Sequence, residues 1–359
     1  MTLESSAPVD GGSLPPRAAR SGLRLNNVSE LRLLFAACVV LSHAVQLSAA
    51  RHFDVIRLVM NSEVAVQGFF ILSGYLVFGS YDRIQAPLDF YRRRIARIYP
   101  AYFVAVTLFL ALVLAEAEVL GGAIHWADVP RYLGFNLLTL NFLQPDIGGV
   151  FAGNTAQAIN GALWSIKVEL MFYACVPPLY ALARRTSPVA VALALIAAGV
   201  LWWPALEVAG AATGHAVPES LRNQLPGQLH FFGLGLALFA FSSGRLKLGG
   251  LIGIVAVTIV LLLVLVDVRS AANVAGLVTV IAALASARPL GTVFADTDIS
   301  YGIYLCHFPI IQMLLAAGAG TWPFLLLLAV VLTLVPLYGV LSWRLVEEPA
   351  LELNKRWSR

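Results

Sequence analysis

Apolar positions dominate the chain in long runs, broken by short polar connections. Runs of about 15–23 residues, close to the length an α-helix needs to cross a bilayer, recur ten times. They read as Glu30–Ala50, Val64–Ser80, Tyr99–Ala115, Gly161–Ala183, Pro188–Leu206, Gly227–Phe241, Leu248–Val266, Ala271–Ala287, Ile299–Ala317 and Trp322–Trp343. The weak two-residue alternation of an outer-membrane barrel is not the pattern here. The expected fold is all-α: a polytopic transmembrane helical bundle of about ten spans. The first run is preceded by a long polar lead and contains His43, so it reads as an uncleaved span rather than a signal peptide. Residues 1–28, rich in Ser, Pro, Gly and Arg, read as a flexible cytoplasmic tail. Residues 29–347 read as one transmembrane domain and 348–359 as a short cytoplasmic tail. The stretch Tyr132–Leu143 is apolar but too short to cross, which suits a re-entrant or interfacial segment.

Composition agrees. The chain is 59% hydrophobic and 12% charged, against about 25% charged in soluble domains. That scarcity of charge excludes a soluble globule, a disordered chain and a nucleic-acid binder. With the N-terminus inside, eighteen Lys and Arg fall on the inner side and five on the outer, with Lys167 inside a span. The split predicts an N-in, C-in topology and an even number of spans. Cys38, Cys175 and Cys306 all lie in apolar runs without metal-ligand spacing. They read as small buried hydrophobes, and no metal is expected.

Ionisable side chains inside a membrane are costly, so each one present is a candidate for function. Arg32 and His43 are eleven residues apart. At 100° per residue they lie within about 20° of one helix face and about 16 Å apart along it. Arg32 is either a snorkelling anchor or part of a polar track, and His43 either a packing histidine or a reactive one. In Leu163-Trp164-Ser165-Ile166-Lys167-Val168-Glu169, Ser165, Glu169 and Tyr173 recur at four-residue spacing and share a stripe. Glu169 is expected near the depth of His43, where a carboxylate and an imidazole suit one another. Ser300, Tyr304 and His307 make a third stripe beside Tyr301, and Pro309 frees a backbone carbonyl there. Gly68 and Gly74, flanking Ser73, favour close helix packing. The cluster Arg92-Arg93-Arg94-Ile95-Ala96-Arg97 reads either as a topology signal binding anionic lipid or as a phosphate site, since guanidinium forks match phosphate oxygens. Intramembrane His, Glu, Lys and Arg also mark transport pathways. The alternative from residues alone is therefore a transporter or flippase for a polar or lipid-linked solute, although the internal repeats common in transporters are not seen.

Taken in order, these motifs resemble the acyltransferase 3 family of bacterial integral-membrane O-acyltransferases. The resemblance rests on Arg32 with His43, Gly68-Phe69-Phe70 through Ser73-Gly74-Tyr75, and Phe90-Tyr91 through Arg94, Arg97 and Tyr99-Pro100. It continues through Leu163-Trp164-Ser165 to Glu169, Ser300-Tyr301 to Tyr304-Leu305, His307-Phe308-Pro309, and Glu348-Pro349. It implies a multi-pass protein of the bacterial inner membrane. Such a protein moves an acyl group, often acetyl from acetyl-CoA, to hydroxyls of cell-surface or secreted glycans. His43, Arg32 and Glu169 are then the expected catalytic residues, with His43 as general base or acyl carrier and Glu169 setting its tautomer. Arg92, Arg93, Arg94 and Arg97 are expected to hold the CoA phosphates. Trp164, Ser165, Tyr301, Tyr304, His307 and Ser73 are the substrate or oxyanion candidates. The acceptor is expected to enter near Trp126 and Tyr132. The chain ends soon after the tenth span, so no additional periplasmic hydrolase-like domain is expected. The expected partners are the bilayer, the glycan acceptor, and either a second copy or a separate periplasmic protein to take the acyl group.

Overall fold

The computed structural model describes residues 26–289 and 297–357, and most of the predicted 1–28 tail lies outside them. The helices are α1 (Val28–Leu47), α2 (Asp54–Val59), α3 (Ser62–Ile84), α4 (Pro87–Val119), α5 (Asp128–Leu137), α6 (Trp164–Arg185) and α7 (Pro188–Thr213). They continue with α8 (Glu219–Arg222), α9 (Leu225–Ser242), α10 (Leu248–Leu265), α11 (Val268–Ser286), α12 (Ser300–Ala316), α13 (Phe324–Ser342) and α14 (Glu348–Trp357). Among the described residues nine helical segments are long and apolar enough to cross a membrane, and α12 is a shorter apolar helix. With α12 they occupy the ten expected positions. The starts follow local chemistry: the Asn61 side chain accepts from the Glu63 and Val64 amides, Ser187 from Ala190, and Asp267 from Ser270.

Packing centres on α3, α9 and α12. Where α3 crosses α9, Gly74 faces the Phe232 carbonyl and Gly235 faces the Ile71 carbonyl, each too close for a Cβ. The small residues thus serve the close approach expected of them. Phe172 and Phe232 stack beside this crossing, 4.3 Å between centroids. α12 runs between α1, α4 and α13, and ten of its residues from Ser300 to Pro309 are buried in an unbroken row.

The short apolar stretch after α4 turns back against that helix. α5 returns alongside α4, and its carbonyl end is held by two α4 tyrosines. Tyr102 Oη donates to Asn136 O at 2.7 Å and Tyr99 Oη to Leu137 O at 3.0 Å. Those hydroxyls satisfy terminal carbonyls that the helix itself leaves open, a requirement for backbone ending at membrane depth. Residues 144–163 then dip into the bundle. Asn160 Nδ2 donates to Leu305 O at 2.8 Å. That is the carbonyl Pro309 leaves without its helical partner. Gln312 Nε2 donates to the Ala156 and Ala158 carbonyls at 2.6 and 2.9 Å.

Within the expected cytoplasmic tail, residues 348–357 form α14, which packs against α4.

Gly74→Ala should force α3 from α9 and lower stability by about 1–3 kcal/mol, the usual cost of overpacking. Gly253→Ala, where a Cβ meets nothing within 4 Å, should leave the melting temperature in detergent unchanged.

Candidate active site

Charged side chains from distant segments meet at one end of the bundle, the end to which the charge asymmetry assigns the cytoplasm. Arg97 on α4 donates from Nη1 to Glu347 Oε2 and from Nη2 to Asp298 Oδ2, both at 2.6 Å. Arg32 on α1 donates from Nη1 to the same Asp298 oxygen at 2.5 Å, and Ser300 Oγ donates to Asp298 Oδ1. Glu347 is 1% exposed. It is the last residue of a π-helical turn, Trp343–Glu347, between α13 and α14. The wider turn re-registers the helix and brings Glu347 inward. Burial alone would raise the Asp298 carboxyl, but the Arg32 and Arg97 guanidiniums hold it below the usual carboxylate range.

Above this knot lie two adjoining cavities. The first is lined by Arg32, Phe69, Ser73, Arg94, Arg97, Glu169, Tyr173 and Tyr301 among others. The second shares Arg32, Phe69, Glu169 and Tyr301 and continues to Ser165 and Tyr304. Arg94 donates from Nη2 to Ser80 Oγ at 2.8 Å and lies over the Phe90 and Tyr173 rings, 5.6 Å from each centroid. Its Nε and the Ser73 hydroxyl are both buried without a hydrogen-bond partner. Unsatisfied buried polar atoms are rare and call for an explanation. Two on the wall of one cavity suit a polar ligand. Glu169 accepts from Tyr173 Oη at 2.5 Å.

At the far end, Ser165 Oγ and Tyr304 Oη lie 2.6 Å apart, and both reach the Ala162 carbonyl, at 3.2 and 2.9 Å. The Tyr304 ring packs edge-on to Phe69 and lies 5.7 Å from the His307 ring. Beyond it, His43 Nδ1 on α1 meets His307 Nε2 on α12 at 2.9 Å. Both polar residues on the predicted α1 face therefore find partners on or beside α12.

Several sequence expectations change here. Glu169 does not hold His43; His307 does. α6 runs antiparallel to α12 and starts only at Trp164, so Ser165 is level with Tyr304. Glu169, one turn further in, lines the cavity with Ser300 and Tyr301. Of the four arginines, Arg94 and Arg97, three residues apart, line one cavity, while Arg92 and Arg93 point elsewhere, because consecutive residues on a helix point about 100° apart. Arg94 faces the cavity, Arg97 is held in the ion knot, Arg92 lines a groove with Asn354 of α14, and Arg93 is exposed. The Ser165, Tyr304 and Tyr301 hydroxyls are not free oxyanion donors. Ser165 and Tyr304 share their protons with each other and Ala162 O, and Tyr301 Oη donates to Ile98 O at 3.1 Å. Trp164 packs edge-on to Phe70. Tyr132 is 2% exposed and forms no entrance, whereas Trp126 is exposed. Glu347, not its exposed neighbour Glu348, is the buried acid. Asp298, Glu347, Asn160 and Gln312 were not singled out from the sequence. A usable signal existed for the last, an amide in an apolar span five residues after His307. Among the described residues no cluster of His, Cys, Asp or Glu fits a metal ion.

The histidine pair thus lies next to Tyr304, which lines a cavity that also carries a carboxylate and an arginine. The acyltransferase domain of the acyltransferase 3 family matches residues 28–342, and the chain belongs to that family of enzymes. That decides for an acyltransferase over a solute carrier. The chain is 29% identical to nodulation protein 10 of Rhizobium leguminosarum bv. viciae, over 95% of this chain and 96% of that protein. It is 26% identical to an O-acetyl transferase of Shigella phage Sf6, over 88% and 93%. It is 28% identical to the acyltransferase MdmB of Streptomyces mycarofaciens, over 55% and 46%. No solved structure matches the chain.

Asp298→Asn should lower stability at pH 7 by roughly 3 kcal/mol, the scale for breaking a buried ion pair. Because its folded-state carboxyl titrates lower than in the unfolded chain, the Asp298 contribution is complete above about pH 4 and is lost as pH falls through the lowered value. Melting in detergent from pH 7 to 3 should therefore show a shallower acid slope for the variant than for wild type.

Proposed function

We propose that this protein is an O-acyltransferase that moves an acyl group, acetyl foremost, from cytoplasmic acyl-CoA to a hydroxyl of a cell-surface or secreted glycan. The observation that carries this reading is the pair of adjoining cavities. They lead from Arg94, near the cytoplasmic end, to Tyr304, which borders the histidine pair. A relative named O-acetyl transferase supports the same reaction class.

Arg92 and Arg93, exposed at the start of α4, receive the CoA phosphates by charge. Arg94 Nε and Ser73 Oγ are the unengaged donors for polar groups of the pantetheine arm, and Glu169 is an acceptor on the same wall. Arg32 and Arg97 keep the cavity floor in shape through Asp298 and Glu347. His43 takes the proton of the acceptor hydroxyl as that oxygen bonds to the thioester carbonyl carbon. The carbon–sulfur bond then breaks with its electron pair on sulfur, and His43 returns the proton to give the CoA thiol. The products are the glycan ester and free CoA, with no other reactant consumed. The inner membrane of a bacterium is the setting that this donor and acceptor require.

Purified protein given radiolabelled acetyl-CoA and a surface-glycan preparation should transfer label to saccharide. His43→Ala should abolish the transfer while binding acetyl-CoA with unchanged Kd; wild-type transfer by that variant would remove His43 from the chemistry. Arg94→Ala should weaken acetyl-CoA binding about tenfold, the value of a hydrogen bond to a charged group. Arg97→Ala should instead lower the melting temperature, because it leaves Glu347 buried and unpaired.

A further inference from the structure

The histidine pair contains two rings in different surroundings. His307 is wholly enclosed, 0% exposed. His43 is half-buried. A substrate group can therefore touch His43 and not His307, and the role of the enclosed ring must act through its partner.

The bonding pattern assigns the protons. His307 Nδ1 lies 2.8 Å from the Tyr304 carbonyl and 3.3 Å from the Ile303 carbonyl. A carbonyl oxygen only accepts, so Nδ1 of His307 carries hydrogen. Neither ring has a hydrogen-bonded carboxylate among the described residues, and a charged ring enclosed here would be an unpaired buried cation. A neutral His307 thus has its lone pair on Nε2. That nitrogen stands 2.9 Å from His43 Nδ1, a distance that is favourable only if His43 Nδ1 donates. A neutral His43 with hydrogen on Nδ1 has its lone pair on Nε2. The two ring planes differ by 8° and their centroids are 5.1 Å apart, which lets the N–H and the lone pair meet near a common plane.

We propose that His307 is a positioning residue that locks His43 in the tautomer whose Nε2 is a base, with an imidazole where a catalytic triad has a carboxylate. This rests on the acyl-transfer reading above. The relay has a fixed direction: His43 Nδ1–H donates to His307 Nε2, and His307 Nδ1–H donates to the Tyr304 carbonyl. When His43 Nε2 takes the acceptor proton, the positive charge is shared across the bond to His307 and ends on a backbone dipole. The helix that carries this relay is held from outside the pair. Asn160 occupies the Leu305 carbonyl, and Phe308 packs edge-on against His43 at 5.4 Å. A neutral relay also avoids placing a fixed anion beside the thioester at this depth, where an isolated charge is costly.

The test combines spectroscopy and kinetics on the full chain in detergent. Nitrogen-15 NMR of histidine-labelled protein, with His43→Ala to assign its signals, should show His43 protonated on Nδ1 and bare on Nε2. In His307→Leu the His43 population should shift toward hydrogen on Nε2. Transfer from acetyl-CoA to surface glycan should fall about 10²-fold in kcat, the low end for general-base catalysis, with KM for acetyl-CoA unchanged. His307→Gln should recover at least tenfold over the leucine variant, because its side-chain carbonyl can again accept from His43 Nδ1. Melting temperatures confirm that each variant is folded; if the leucine variant fails to fold, the wild-type spectrum and the glutamine variant decide. Hydrogen on His43 Nε2 in the wild type overturns the proposal. So does a leucine variant with wild-type kcat, or a folded glutamine variant no better than a folded leucine variant. If His43→Ala still transfers acyl groups while the wild-type spectrum is as expected, the acyl-transfer role of His43 fails and the tautomer assignment stands.

Discussion

Arg97 is the side chain around which the cytoplasmic half of the site is built. A guanidinium at the edge of a bilayer and 16% exposed needs anions, and it takes one from the loop before α12 and one from the turn after α13. Asp298 then draws in Arg32 from α1. Four segments far apart in the chain are fastened at one point, with two positive and two negative charges. Removing any member would leave a buried charge without a counterion, which costs more than the pair itself contributes. The floor of the cavity is therefore fixed by electrostatic necessity, and the cavity walls inherit that position.

The outer half of the site obeys the same rule applied to backbone. A helix end and a loop at membrane depth must have every carbonyl satisfied from within the protein. α5 meets this with Tyr99 and Tyr102, and residues 144–163 with Asn160, Gln312 and the carbonyls of α12. This dipping segment starts α6 deep in the bundle, which sets Ser165 level with Tyr304 and lowers Glu169 into the cavity. It also braces the stretch of α12 that carries His307. The proline that weakens the α12 ladder is thus the place where the loop attaches.

Much of the fold was legible along the chain because crossing a bilayer requires long apolar runs. All ten helical positions follow from that pattern, as does the common face of Arg32 and His43, since helical periodicity is a local property. The ion knot was not legible. Asp298 reads as an ordinary acid in a connection, and Glu347 as the residue that closes the domain before a charged tail, until a π turn carries it inward. The arginine cluster was legible as a cluster but not in its division of labour, which depends on what each helix face meets.

The sequence by itself determined that this is a membrane helical bundle, which end of it is basic, and which few polar residues the bilayer would have to tolerate. Those follow from transfer energies and helix geometry, which act residue by residue. Only the tertiary structure decided the partners: His307 rather than Glu169 for His43, and Asp298 for both Arg32 and Arg97. Hydrogen bonds reach about 3 Å, whereas periodicity places a side chain only to a face and a depth. The register between α6 and α12 is what separates a carboxylate from an imidazole.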